Sequence, residues 1–299
     1  MSSTPTPCTA CSWTPERQNH CNYKSHLKLF HKAGDRGIWS LGSKVILKDH
    51  GPNPPTSEVP NIHFVQDRTS IPVPTIIESW EEEKDKHTLT LMRRIPGEPL
   101  RKVWSKLTPN EKENIANQVA EYLQQLRPLQ SDKIQCLGGR PVFSNFLFKN
   151  DSSNSSGEIE ITRGPFASDD ELWAEMERGL DERIPEAARV RLRQRMPAAM
   201  PYTFTHGDLT IGNIMVERGE LTGIIGWEMA GYFPVWWEYV ATSVADGEED
   251  REWKMLLRWY LPDYSAAREF WLEYWYLCRD LEGGRAGRFV GKMGSEVSE

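Results

Sequence analysis

The chain has 299 residues with 43 Asp plus Glu against 36 Lys plus Arg, and its net charge of −7 argues against nucleic acid as the main partner. No stretch approaches the roughly 20 apolar residues of a membrane span, and the first 21 residues lack the apolar run of a signal peptide. These features predict a cytoplasmic chain with one large domain or two modest ones sharing a cleft.

The N-terminal stretch carries Cys8, Cys11 and Cys21, with His20 and His26 nearby. Such a set can be drawn as a tetrahedral zinc site, but a second C-x-x-C is absent, so residues 1–36 read as an arm with reduced thiols. From Gly37 to Lys48, two apolar runs flank Gly42-Ser43 and predict a β-hairpin. Pro52, Pro54 and Pro55 make the next stretch a loop. Residues 57–67 suit a short helix that tolerates Pro60 only in its first turn. Residues 71–79 and 88–94 read as strands separated by a charged turn. Together they form a small, strand-rich lobe over 37–94.

Pro96-Gly97 punctuates the chain, and 95–299 turns mainly helical. Thr108-Pro109-Asn110-Glu111 supplies an N-cap, a proline at the first helical position and a first-turn carboxylate. Ile115, Val119, Tyr122, Leu123 and Leu126 follow at helical spacing. Ser168-Asp169-Asp170-Glu171 reads as a capping box opening another helix. Residues 253–280, rich in Trp, Tyr and Leu, predict one or two helices whose aromatic stripe is core.

The stretch most informative about chemistry is Tyr202-Thr203-Phe204-Thr205-His206-Gly207-Asp208-Leu209-Thr210-Ile211-Gly212-Asn213-Ile214-Met215-Val216. An apolar strand runs into His-Gly-Asp, a polar turn, then Asn and a second strand. Phosphoryl transfer needs a carboxylate to accept the proton of an attacking hydroxyl, and oxygen ligands that hold Mg²⁺ on the phosphates. A loop Asp followed five residues later by Asn has the spacing of a kinase catalytic loop. A bare Asp-x₄-Asn is common; HGDxxxxN between two strands is far more specific.

On these residues the chain resembles the aminoglycoside-phosphotransferase and choline-kinase family, especially a fungal branch reading THGDL…NILV, then TGIIDWE and WEY. Here the matching residues are Thr205 to Leu209, Asn213 to Val216, Leu221 to Gly231 and Trp237-Glu238-Tyr239, dense over about forty residues. The resemblance implies an α+β, protein-kinase-like fold of two lobes, using ATP and Mg²⁺ to phosphorylate a small-molecule acceptor. It assigns Asp208 and His206 to catalysis and Asn213 to the metal and nucleotide. Lys48 and Glu58 become the phosphate clamp, and Met92 and Ile95 part of the adenine-contacting hinge.

One departure matters. Where the family has a metal-binding Asp before Trp-Glu, this chain has Gly226, which offers no side-chain oxygen. Three readings stay open: a slow kinase in which Glu228, or a water network with Asn213, holds Mg²⁺ imperfectly, a pseudokinase-like binding module, or a cleft repurposed for other small-molecule chemistry with His206 or Asp208 as acid or base. The first is the leading expectation, because a loop carboxylate in such a motif has no obvious structural duty.

Overall fold

The computed structural model describes residues 27–33, 36–51, 57–82, 86–144, 146–149 and 162–279, together with 284, 288 and 289. The candidate zinc residues Cys8, Cys11 and Cys21 lie outside the described residues. The first part is an antiparallel sheet of β1 (Leu27–Ala33), β2 (Arg36–Leu41), β3 (Val45–Asp49), β4 (Ile76–Glu81) and β5 (Thr88–Arg93), in spatial order β1-β2-β3-β5-β4. The hairpin expected around Gly42-Ser43 is formed, with Gly37 opposite Asp49 and Leu41 opposite Val45. β1 falls inside the stretch expected as an arm, so the sheet reaches further toward the N-terminus than the turn signals suggest.

Between β3 and β4 runs α1 (Glu58–Arg68), with Pro60 in its first turn, where a backbone N–H has no intrahelical acceptor. The strand expected from residue 71 begins only at Ile76. Pro72 and Pro74 cannot donate to a ladder, and the Pro72 carbonyl instead accepts the Ile224 N–H at 2.9 Å. That bond ties the approach to β4 to the second lobe.

The second lobe comprises β6 (Glu98–Pro99), α2 (Leu100–Val103), α3 (Pro109–Gln124), β7 (Gln130–Ser131), β8 (Val142–Phe143), β9 (Thr162–Arg163), α4 (Asp169–Glu177), α5 (Glu186–Arg195), β10 (Tyr202–Thr205), β11 (Ile214–Glu217), β12 (Glu220–Ile224), β13 (Gly231–Pro234), α6 (Trp237–Ala241), α7 (Glu248–Tyr260) and α8 (Ser265–Arg279). α3 starts with the full capping box. Thr108 Oγ1 accepts from the Glu111 N–H at 3.3 Å, and a Glu111 carboxylate oxygen accepts from the Thr108 N–H at 2.8 Å. A cap of this kind stabilises a helix by about 1 kcal/mol. At Ser168 only half of the box forms. Its hydroxyl accepts from Glu171 N–H, while the Glu171 carboxylate takes the N–H of Ala167, one residue earlier than the motif predicts.

Two apolar clusters hold the molecule together. One gathers α4, α5 and α8 around Trp236, Trp237, Phe270, Trp271 and Tyr274, so Trp271 and Tyr274 of the expected aromatic stripe are core, whereas Trp259 and Tyr276 are exposed. The other joins Ile62 and Val65 of α1 to Ile115, Phe204, Ile214, Trp227 and Trp253. Full burial of such side chains contributes about 1.5–3 kcal/mol each. The helix of the first lobe is therefore anchored in the second lobe's core, directly behind the segment that carries Gly226. Among the described residues no helix is long and apolar enough to cross a membrane.

Candidate active site

β10 is buried along its whole length and delivers His206, Gly207 and Asp208 into the loop that follows. Gly207 turns the chain at φ +80°, and a Cβ there would come within 3.3 Å of the Met229 carbonyl oxygen. His206 is fully buried, with its ring 4.5 Å from that of Trp227. Its Nδ1 accepts from the Asp208 N–H at 3.2 Å, which leaves Nε2–H to donate to the Ile225 carbonyl at 3.0 Å. Burial pulls its pKa down to about 4, so the ring is neutral near pH 7, with both nitrogens committed to backbone. The structure thus places His206 beneath the loop that carries Asp208, with no surface open to the cleft.

From α6, the Glu238 carboxylate accepts the backbone N–H groups of His206 at 2.7 Å and Gly207 at 3.3 Å. Burial raises this carboxyl to about 7 despite those two donors. On the other side α7 supports the loop. Asp250 accepts from Ile211 N–H at 2.7 Å, and Trp253 Nε1–H donates to the Leu209 carbonyl at 3.0 Å. The backbone of 206–211 is held from two helices.

Within this frame the Asn213 amide donates to the Asp208 carbonyl at 2.8 Å and to its carboxylate at 3.0 Å. Burial raises the Asp208 carboxyl above the usual range, and Lys254 opposes that shift. A raised carboxyl pKa is what a proton acceptor uses.

The second half of the site centres on Lys48 of β3. Its ammonium lies 2.9 Å from Glu58 Oε2 on α1 and 3.0 Å from Glu228 Oε2. Burial alone would lower the Lys48 pKa; the two carboxylates outweigh it and hold the ammonium above its ordinary value. One cation serves two acids, and their environments separate them. The Glu58 side chain is 2% exposed and burial pushes it up to about 7, whereas Glu228, 25% exposed, is held down by Lys48 against its own burial. His50 adds no charge: burial lowers it to about 4, and it sits 3.2 Å from the Thr90 hydroxyl.

Gly226 links the halves. It adopts the left-handed conformation, φ 81° and ψ 42°, at the start of the 3-10 turn Trp227–Met229 that presents Glu228. A Cβ at Gly226 would stand 2.7 Å from the side-chain amide atoms of Asn213. The space beside Gly226 is occupied by the Asn213 amide, which in turn holds Asp208. A continuous run of contacts therefore leads from Lys48 through Glu228 and the Gly226 turn to Asn213 and Asp208.

Of the residues singled out from sequence, Lys48 and Glu58 meet directly, and Asp208 and Asn213 meet directly. Met92 is opposite Ile46 in the sheet, and the Ile95 side chain packs against Gly223. Sequence reasoning assigned no part to Glu238 or to the pairing of Glu228 with Lys48. Both glutamates stand inside the densest motif stretch, which was the available signal.

The donor set bears on Mg²⁺. Among the described residues no three His, Cys, Asp or Glu side chains converge as a ready-made metal cage. The Asn213 side-chain oxygen, which lies against Gly226, and the Glu228 carboxylate, presented by the turn that follows, remain as oxygen donors. One carboxylate and one amide oxygen fit a cation that draws most of its other ligands from water and phosphates.

A family model described as the phosphotransferase enzyme family matches residues 39–270. Among solved structures, the chain is similar to the streptomycin–ATP ternary complex of APH(2")-IIa, with a TM-score of 0.52, 15% identity, and coverage of 94% of this chain and 96% of that one. It is also similar to the GDP and kanamycin complex of APH(2")-IIia, with a TM-score of 0.54, 14% identity and 97% of each chain covered. A third similar structure is ADP-bound aminoglycoside phosphotransferase APH(2'')-Ib, with a TM-score of 0.50, 13% identity and 95% of each chain covered. At these identities the likeness is one of fold, and it is the two-lobed, protein-kinase-like α+β fold expected from the sequence. A search of curated protein sequences finds no significant match.

Proposed function

The chain belongs to the phosphotransferase enzyme family, and on that footing we propose that it transfers the terminal phosphoryl group of ATP to a hydroxyl of a small-molecule acceptor. The observation that carries this reading is the contact path from Lys48, paired with Glu58, to Asp208, paired with Asn213. A phosphate chain lying along that path would meet a cation at one end and a proton acceptor at the other.

In this reading Asp208 orients the acceptor hydroxyl and takes its proton as the oxygen attacks the γ phosphorus and the bond to ADP breaks. Its raised pKa suits that step. Lys48 leaves Glu228 and donates to the nucleotide phosphates, and Glu58 keeps it aimed. His206 and Glu238 hold the loop backbone and exchange no proton with substrate. Asn213 and Glu228 would hold Mg²⁺, which supplies charge neutralisation on the phosphates when bound. Met92 and Ile95 border the interlobe hinge that would face the base. The acceptor is a hydroxylated cation, in keeping with the acidic chain and with the aminoglycosides named for the similar structures.

A second reading, a binding module that holds nucleotide without transferring phosphate, is favoured by one observation. Asn213 is engaged by Asp208 and Lys48 by Glu228, so both groups need to be released before they can act. Phosphate transfer from labelled ATP across a panel of aminoglycosides and amino alcohols, compared with Asp208→Asn, separates the two. Turnover lost in the variant supports the enzyme; Mg²⁺-dependent ATP binding with no turnover on any acceptor supports the module.

A further inference from the structure

Asn61, on α1, has no part in the chemistry above, yet it is completely buried. Its side-chain Nδ2 donates to two backbone carbonyls, those of Trp227 at 2.8 Å and Ala230 at 3.0 Å. These two carbonyls bracket Glu228. The turn between them is itself closed by the Ala230 N–H on the Trp227 carbonyl at 3.2 Å, so Glu228 projects from a tight loop strapped from outside by one amide. On its own helix Asn61 stands one turn from Glu58, three residues earlier, with Pro60 between them. α1 and the Trp227–Met229 turn also share apolar core, with Ile62 and Val65 packed in one cluster with Trp227 and Ala230.

The consequence concerns Lys48. Its two carboxylate partners come from different parts of the chain, and a displacement of the turn relative to α1 by about one ångström would stretch one of the two contacts beyond hydrogen-bond distance. Apolar packing is non-directional and does not set that distance. Two hydrogen bonds from one planar amide do, because they fix both separation and angle. We propose that Asn61 is a positioning residue: it locks α1 to the Glu228 turn and so sets how Lys48 is divided between Glu58 and Glu228. This deepens the reading of Lys48 and Glu228 as the nucleotide site and rests on it.

The structural alternative is that Asn61 merely satisfies two buried carbonyls. A double-mutant cycle in the full chain separates the two, because coupling through a shared group is non-additive. The variants are Asn61→Ala, Glu228→Gln and the double variant, with Asn61→Ser as a milder change that keeps one donor. ATP affinity is measured by calorimetry. The rate at which an amine-acylating reagent labels Lys48 is measured by mass spectrometry without nucleotide, at a temperature where each variant remains folded. Asn61→Ala is expected to change ATP affinity by about tenfold and to speed labelling of Lys48, with Asn61→Ser between it and the parent. In the Glu228→Gln background both effects should largely vanish, since the contact being positioned is already gone.

Equal effects of Asn61→Ala in both backgrounds would overturn the proposal. So would the failure of both Asn61 variants to fold, which would make Asn61 a packing residue. If the parent chain binds no ATP yet labelling of Lys48 still shows the coupling, the nucleotide reading fails while the positioning role stands.

Discussion

The Lys48 ammonium lies 2.9 Å from the carboxylate of Glu58 and 3.0 Å from that of Glu228, so one cation of the sheet lobe is held by an acid from its own lobe and another from the opposite one. In the proposed reading, this sharing sets the terms on which a nucleotide would enter.

Glu228→Gln should therefore act in two directions. Without metal, ATP affinity should rise about three- to tenfold, because phosphates no longer compete with Glu228 for Lys48. The gain in affinity on adding Mg²⁺ should shrink, because the carboxylate proposed to hold the metal together with Asn213 is lost. Calorimetric titrations with Mg²⁺ and with EDTA read both quantities. A variant whose Mg²⁺ response equals the parent's would remove Glu228 from the metal site.

Gly226→Asp, the substitution that restores the motif, meets two obstacles. The backbone is at φ +81°, and the new Cβ would fall 2.7 Å from the Asn213 amide. A side chain in the left-handed region costs about 1–2 kcal/mol, which predicts a melting temperature lowered by several degrees. Gly226→Ala should lose as much, because the strain comes from the Cβ. Displacing Asn213 also frees Asp208, so turnover should not rise. A Gly226→Asp protein as stable as the parent and faster would contradict this account of the glycine.

Asp208→Asn should reduce phosphate transfer by at least about 100-fold while leaving ATP affinity within a factor of about three, since the residue acts on the acceptor's proton. Because burial raises the Asp208 carboxyl above its ordinary range, the acid limb of kcat/KM should fall above the pH at which an exposed aspartate titrates. A limb at or below that value would show that another group is the base.

Glu238 gives a stability prediction with a definite sign. Its folded pKa of about 7 lies above the ordinary 4.5. The stability linked to its protonated form is thus complete below about 4.5 and is lost as pH rises through 7. His206 has the opposite sign: lowered from 6.5 to about 4, it contributes stability above pH 6.5 that is lost as pH falls through 4. In Glu238→Gln the melting temperature should gain on the parent's steadily from pH 5 to pH 7.5. A difference that is flat over that range would mean that Glu238 is ionised throughout.

Local features of this molecule were readable because local residues dictate them. The Gly42-Ser43 hairpin, the Thr108–Glu111 capping box and the strand–loop–strand around Asp208 and Asn213 each carry their signal within a short stretch of neighbouring positions. The pairing of Lys48 with Glu58 was reachable only through the resemblance to the phosphotransferase family. Asn61 and Glu238 were not, because each acts on backbone groups, the former's partners being 166 and 169 residues away, and any sequence supplies a carbonyl or an N–H. The left-handed backbone at Gly226 was hidden for the same reason. Its glycine reads as a missing ligand, while the structure adds that the neighbouring Asn213 occupies the space. β1 escaped because its pairing partner, rather than a turn signal, defines it.

The most direct test of the central claim is calorimetric titration of ATP into the full chain, with and without Mg²⁺, set beside Lys48→Ala. The account predicts that ATP binds, that Mg²⁺ strengthens the binding, and that Lys48→Ala weakens it by at least about tenfold. ATP binding that is absent from the parent chain, or unchanged in Lys48→Ala, would contradict it.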